Sequence, residues 1–131
     1  MLNRNLEKLE FIIQNLYLST NAVGIAIFDE HGTIAAECGN LDMNVMADHA
    51  VRILLNSDSL LASFTGASEE PFSLWLNGAK GNVAFTPVSK NLFLVIFYPK
   101  SVDIFNIRDN ISKFMADIRA VLVSLEPYAK E

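Results

Sequence analysis

The residues of this chain that could carry out chemistry are few and lie far apart. A nucleophilic site pairs a thiol with a nearby base, and a metal site needs several ligands at short spacing. The single cysteine, Cys38, lies in an apolar stretch typical of a strand, His31 lies in a turn, and His49 lies on the polar side of a helix-like stretch. We therefore interpret them as an inert thiol and two solvated histidines, and we predict no enzyme activity, catalytic residue, metal or cofactor.

The only cluster of glycine and lysine, Gly78-Ala79-Lys80-Gly81, does not predict a phosphate site. A phosphate-binding loop feeds glycine-rich backbone into the start of a helix. This cluster instead lies between two predicted strands, and the sequence contains neither GxxxxGK[ST] nor GxGxxG. We interpret the cluster as a hairpin turn and expect that the protein does not bind or hydrolyse GTP by itself.

The composition is typical of a well-cored soluble domain. The chain has 131 residues, of which 51% are apolar and 19% charged, and its net charge is −5. This length fits one domain over residues 1–131. The acidic balance disfavours nucleic acid and anionic lipid. No apolar stretch is long enough to span a membrane, the N-terminus lacks a signal-like core, and one cysteine fits a reducing compartment. We expect a cytoplasmic protein that does not insert into membranes.

Hydrophobic periodicity predicts an α/β (α+β) fold with the element order α-β-β-α-β-β-β-α. The predicted elements are helices over residues 3–18, 43–55 and about 103–126, and strands over residues 22–28, 33–39, 72–76, 82–88 and 92–98. Pro87 predicts an edge or a bulge in its strand, and Pro127 should end the last helix. The first and last helices each carry one apolar stripe, so they should pack together on one face of a five-stranded antiparallel sheet. The middle helix should take the other face.

The middle helix is apolar around an unusually large part of its circumference. Its apolar side chains cover roughly 200°, whereas a surface helix needs about 100° to cover its own core. The surplus predicts burial against a second protein chain. A helix sunk deep in its own domain, or an arc widened by two alanines, is the alternative interpretation. The polar remainder, Asp48, Arg52 and Asn56, is the predicted surface for a further partner.

Trp75, in the third predicted strand, is a second candidate contact residue. Because side chains alternate along a strand, Trp75 should point to the side opposite Phe72 and Leu74. A tryptophan between polar neighbours is either an interface anchor or part of the core under a helix. Both interpretations stay open from the sequence.

Two local patterns resemble the Roadblock/dynein light chain family. They are the hairpin AVGIAIFDEHGTIAAECG over residues 22–39 and the helix MNVMADHAVRILL over residues 43–55. The resemblance covers roughly residues 5–126 and implies a profilin-like Roadblock fold. It also implies dimers in which the middle helices pair and the third strands join edge to edge. The implied dimer interface consists of Met43, Met46, Ala47, Ala50, Val51, Leu54, Leu55, Phe72, Leu74 and Trp75.

The same resemblance implies a function. Members of the family are non-catalytic regulators of small Ras-like GTPases, or scaffolds, and prokaryotic members often accompany such a GTPase. It therefore predicts a homodimeric regulator or scaffold that activates or docks a small Ras-like GTPase. The alternative is a small-molecule sensor of profilin-like architecture, with a pocket between sheet and helix lined by Phe28, Phe85 and Trp75.

Overall fold

The computed structural model describes residues 2–42, 46, 48–53, 56, 73–89 and 92–129, and within these ranges it describes the side chains between 6 and 122. The described residues form three helices and five strands. The helices are α1 (Leu2–Thr20), α2 (helical at 46, 48–53 and 56) and α3 (Ile104–Ala129). The strands are β1 (Gly24–Asp29), β2 (Ile34–Gly39), β3 (Leu74–Asn77), β4 (Asn82–Ser89) and β5 (Leu92–Tyr98). The predicted element order is confirmed.

The five strands form one antiparallel sheet in the order β2-β1-β5-β4-β3. The predicted five-stranded antiparallel sheet is therefore confirmed. β5 lies at its centre and is apolar on both faces, which is the pattern of a strand covered from two sides. β2 and β3 lie at the two edges. The sequence neighbours β2 and β3 thus lie at opposite ends of the sheet, and α2 belongs to the connection between them.

Each face of the sheet carries its own hydrophobic core. On one face, α1 and α3 pack on β1, β2 and β4, with Ile13 of α1 and Ile118 of α3 fully buried. On the other face, Ala50 of α2 packs in a cluster with Ala26, Phe28, Phe85 and Val95. We call the first the α1/α3 face and the second the α2 face. The predicted layering, with two helices on one face and one on the other, is confirmed.

Local turn chemistry sets the register of the β1–β2 hairpin. The Asp29 carboxylate accepts hydrogen bonds from the backbone N–H groups of His31 and Thr33, both at 2.9 Å. Gly32 takes a φ of 85°, in the left-handed region that glycine adopts without strain. The pairing then shifts between Ile27 and Phe28, which leaves one extra residue on β2. This is a β-bulge, and it increases the local twist.

Two predictions about prolines have different outcomes. The β4–β5 register shifts between Pro87 and Ser89, so the predicted bulge is confirmed, although β4 is not an edge strand. Pro127 was predicted to end the last helix, and this is wrong because α3 continues to Ala129. A proline in a last helical turn removes only one intrahelical hydrogen bond, and the residues after it can still donate to earlier carbonyls.

Candidate interaction site

The first described residue of α2, Met46, is tied by its backbone to the segment that follows the β1–β2 hairpin. The Asp42 carbonyl accepts a hydrogen bond from the Met46 N–H at 3.1 Å, which has the i to i+4 spacing of an α-helix. One turn later Ala50 is only 1% exposed and shares a cluster with the fully buried Ala26 of β1. Two small side chains at this contact let the helix backbone approach the sheet closely.

Around this close contact, larger apolar side chains are covered only in part by the described residues. Met46, Val51 and Ile53 of α2 are half-buried against the cluster of the α2 face. Phe93 and Phe97 of the central strand β5 are also half-buried, although a central strand is normally the best covered part of a sheet. The α2 face therefore carries apolar surface that a second body could bury.

A charged ridge runs along the outer side of α2. Arg52 and Asp48 form an ion pair with 3.3 Å between Nη2 and Oδ2, and the two side chains are 71% and 65% exposed. Asn56 continues this exposed side one turn further. Exposed pairs at this spacing contribute only about 0.3–0.5 kcal/mol, so a partner can take over either charge at little cost. The predicted partner residues thus lie together on one ridge.

The sheet puts on opposite faces two residues that the family resemblance assigned to one interface. Leu74 packs with the α2 face, whereas Trp75 packs with the α1/α3 face. Of the other predicted interface residues, Met46, Ala50 and Val51 lie on the α2 side. The remaining ones fall outside the described residues: Met43, Ala47, Leu54, Leu55 and Phe72.

The same separation contradicts the sensor pocket that the alternative interpretation requires. Phe28 and Phe85 are 0% and 2% exposed and fill the core of the α2 face. Trp75 lies on the opposite side of the sheet. The prediction that these three side chains line one pocket is therefore wrong, because the register of the paired strands puts Trp75 on the face opposite Phe28 and Phe85.

The residues that could carry out catalysis or bind a metal also lie far apart. Cys38 is half-buried against the α1/α3 face, while His49 is exposed on α2, on the other side of the sheet. His31 is exposed in the β1–β2 turn. Within the described part of the chain, no group of three or more His, Cys, Asp or Glu side chains could hold a metal ion. The same part contains no helix whose length and apolar character would let it cross a membrane.

Comparison with known proteins gives matches at the level of structure only. No protein-family model and no curated protein sequence matches the chain. Myxococcus xanthus MglB superposes with a TM-score of 0.81 at 22% identity, covering 92% of this chain and 91% of MglB. An MglB described as having a tetrameric arrangement superposes with a TM-score of 0.79 at 11% identity, covering 89% of each chain. A Roadblock/LC7 domain from Streptomyces avermitilis gives 0.67 at 10% identity, covering 93% of this chain and 98% of that domain.

This chain has the Roadblock/LC7 fold. The likeness extends over nearly the whole of each matched protein, so the three helices and the sheet belong to it together. The hairpin and α2 were the two patterns that indicated this fold, and the fold that they indicated is thereby confirmed.

The Roadblock/LC7 fold of this chain also carries a surface that sequence reasoning missed. A groove of about 620 Å³ lies between the edge strand and the start of α3, and we call it the β3–α3 groove. Its floor includes Ser73, Trp75 and Thr86, and its wall includes Ile104, Phe105 and Arg108. The sequence does contain a signal for this groove, which is the pair Ile104-Phe105 at the start of a helix. A first turn that packs on one core needs only one large apolar residue, so the second one indicates a further contact surface.

Proposed function

We propose that this protein is a non-catalytic, homodimeric regulator or scaffold of a small Ras-like GTPase, acting through the surface around α2. Two findings support the proposal. The chain shares its fold with MglB, and the hairpin and α2 resemble a family whose members regulate such GTPases. The observation that carries it is the combination, on one face, of half-buried apolar side chains and an exposed charged ridge.

The dimensions of the α2 face support self-association. Five strands spaced about 4.8 Å apart span roughly 20 Å, whereas one helix is about 10 Å wide. α2 therefore covers about half of the sheet, in agreement with the half-buried Phe93 and Phe97. A second copy placed across a two-fold axis would bury the rest by pairing the two α2 helices. The tetrameric arrangement described for one MglB shows that chains of this fold can associate.

The GTPase would then meet the two charged ridges of such a dimer. Asp48 and Arg52 lie on the outer side of α2, away from Ala50 and the sheet. A regulator without catalytic groups acts by shape: it holds the partner's own catalytic residues in their productive arrangement, which lowers the activation barrier through positioning. A scaffold binds through the same contact but does not change the rate at which the partner hydrolyses GTP.

The proposal is tested with the Ras-like GTPase encoded nearest to the gene for this protein. The purified protein should sediment as a dimer and should co-elute with the GTPase in one nucleotide state, loaded with either GDP or a non-hydrolysable GTP analogue. A rate of GTP hydrolysis that rises with added protein identifies an activator, and an unchanged rate identifies a scaffold. Failure to co-elute in both nucleotide states would overturn the proposal.

A matched variant assigns the contact to the ridge. Exchange of the pair, Asp48→Arg together with Arg52→Asp, keeps an oppositely charged pair at the i,i+4 spacing, in the less favourable orientation, and reverses the charge pattern. The exchanged protein should remain a dimer, should lose at most about 0.5 kcal/mol of stability, and should bind the GTPase at least about tenfold more weakly. Equal binding by the exchanged protein would place the GTPase contact elsewhere.

A further inference from the structure

The outer side of α1 carries two large apolar side chains that are largely uncovered. Phe11 and Leu18 are each 65% exposed, more than any other large apolar residue in the described part of the chain. They are seven residues apart, so they lie about 20° apart around the helix and about 10 Å apart along it. The fully buried side of α1, with Leu9, Ile13 and Leu16, is directly opposite. Phe11 and Leu18 therefore form a second apolar line, which we call the outer α1 stripe.

The end of α1 holds this stripe in place. The Thr20 hydroxyl donates a hydrogen bond to the Leu16 carbonyl at 2.8 Å, and Thr20 is fully buried. Asn21 then takes a φ of 54°, the left-handed conformation in which helices commonly end. Leu18 thus lies in a last helical turn that is fixed from both sides. A large apolar side chain on such a turn is pre-organised for contact.

A groove of about 540 Å³ runs beside the stripe, between α1 and α3. Phe11 lines it together with Ile12 of α1 and Val121 of α3, both of which are half-buried. Its other lining residues are three exposed charged side chains, Glu7, Lys8 and Asp117. Helices pack by placing the side chains of one into the grooves of the other. The outer surface of α1 therefore has the shape that receives a further helix.

The distribution of charge along α1 favours a second copy of the same helix in one orientation. All charged residues of α1 precede Phe11, and residues 11–20 carry no charge. When two α1 helices pair in antiparallel fashion, the charged half of each lies against the uncharged half of the other. A parallel pair would instead bring every charge next to its own copy, which is unfavourable. The antiparallel pair avoids this repulsion.

The same antiparallel pair also matches the remaining side chains. A two-fold axis midway between Phe11 and Leu18 places Phe11 of each copy against Leu18 of the other, so both are buried together. Gln14 is exposed and lies within about 1 Å of this axis along the helix, so it meets Gln14 of the other copy. An amide has both donors and an acceptor and can hydrogen-bond with its own copy, unlike an ammonium group or an ionised carboxylate. This residue type at the axis favours a second copy over an unrelated partner.

We propose that the outer α1 stripe binds a second copy of this chain, with the two α1 helices antiparallel and Phe11 of each against Leu18 of the other. This contact lies on the α1/α3 face, on the opposite side of the sheet from α2, so it does not depend on pairing through α2. Only the number of chains in the assembly rests on the α2 dimer proposed above. Where that dimer forms, two dimers join into four chains, and their α2 ridges face away from the new contact.

Sedimentation equilibrium at a series of protein concentrations tests the contact. One helix packed on another is a small interface, below about 1,200 Å², and such contacts are weak. The mass at the lowest concentration, about 5 µM, reports on the α2 dimer, and a doubling of that mass by about 500 µM reports on the outer α1 stripe. The two proposals can therefore fail separately. A mass that stays constant over this range would overturn the α1 contact.

Removal of one apolar side chain locates the doubling step. Phe11→Ser should weaken the doubling by about tenfold or more. Phe105→Ser removes a phenylalanine of nearly equal exposure, 62% against 65%, from the start of α3 and should leave the doubling unchanged. An equal loss in the two variants would show that exposed apolar surface in general drives association, and the proposal would be wrong.

Mixtures of charged variants test the register. Phe11→Lys and Leu18→Glu should each double at least about tenfold more weakly than the wild type, because a charge meets an apolar side chain in both halves of the contact. Their mixture restores one wild-type contact and places the introduced ammonium against the introduced carboxylate, so it should associate at least about fivefold more tightly than either variant alone.

A second mixture is the control for this register. Phe11→Lys mixed with Phe11→Glu should show no such gain, because position 11 of one copy meets position 18 of the other. The absence of a gain in the first mixture, or an equal gain in the control mixture, would overturn the proposal.

Discussion

Tyr98 lies directly opposite Asn82 in the pairing of β5 with β4, and each side chain buries a polar atom that has no hydrogen-bond partner among the described residues. Tyr98 is only 1% exposed. A buried hydroxyl without a partner has lost its hydrogen bonds to water, and this costs about 1–3 kcal/mol. Removing the hydroxyl should therefore not destabilise the protein. We expect Tyr98→Phe to be as stable as the wild type or about 1 kcal/mol more stable in urea unfolding at neutral pH.

The same residue predicts how stability changes with alkaline pH. Burial raises the pKa of the Tyr98 phenol because desolvation penalises the phenolate. A tyrosine in the unfolded chain titrates near pH 10, so the contribution of protonated Tyr98 is fully present below about pH 10. It is lost as pH rises from there through the raised pKa of the folded state. Tyr98→Phe should lose less stability above about pH 10 than the wild type, as measured by urea unfolding at a series of pH values, and an equal loss in the two proteins would contradict the argument.

Gly39 occupies a position that only glycine fits. Its φ is 122°, and a Cβ built there would lie 2.5 Å from the Val23 carbonyl oxygen and 2.6 Å from the Gly24 Cα. Both neighbours are backbone atoms, which cannot move aside without disturbing the β1–β2 pairing. Gly39→Ala should lower the free energy of unfolding by about 2 kcal/mol or more. Gly81→Ala is the control, because its Cβ would lie at an ordinary 3.4 Å from the Tyr98 carbonyl oxygen. Equal stability of the two variants would contradict the argument.

The close approach of α2 to the sheet predicts the effect of enlarging Ala50. A leucine at this 1% exposed position has to displace either neighbouring side chains of the α2-face cluster or the helix itself. Overpacking of this kind typically costs about 1–3 kcal/mol. Ala50→Leu should therefore be destabilised in urea unfolding, whereas Ala120→Leu, at an exposed position on α3, should stay within about 0.5 kcal/mol of the wild type. A stable Ala50→Leu protein would mean that α2 does not pack tightly on β1.

The sequence predicted most of the fold because the fold rests on short-range patterns. Alternating apolar residues indicated the strands, and the helical stripes indicated which helices share a face. A proline in a strand indicated the bulge at Pro87. The two faces of β3 were also separated correctly, since Leu74 and Trp75 do point to opposite sides.

The errors concern relationships that local patterns do not contain. Alternation shows that Trp75 and Phe85 point to particular sides of their strands, but it does not show whether these sides coincide once the strands pair. That depends on the register between β3 and β4, where Trp75 pairs with Ala84 and not with Phe85. The β3–α3 groove was missed for a related reason. It is lined by residues of β3, β4 and the start of α3, which are far apart in the chain, so no single segment encodes it.

Arg52 gives the most direct test of how the proposed GTPase regulation works. An arginine that enters a GTPase active site contributes about 10³-fold or more to the rate of hydrolysis. Arg52 is instead engaged in an ion pair with Asp48 on the same helix, in a ridge suited to docking. We expect Arg52→Ala to bind the GTPase several-fold more weakly, while the rate of GTP hydrolysis at saturating protein stays within about threefold of the wild type. Arg52→Lys, which keeps the charge without the planar guanidinium, should recover most of the binding. A 10³-fold loss of the saturated rate in both variants would instead identify Arg52 as a group that contacts the nucleotide, because only such a group depends on guanidinium geometry.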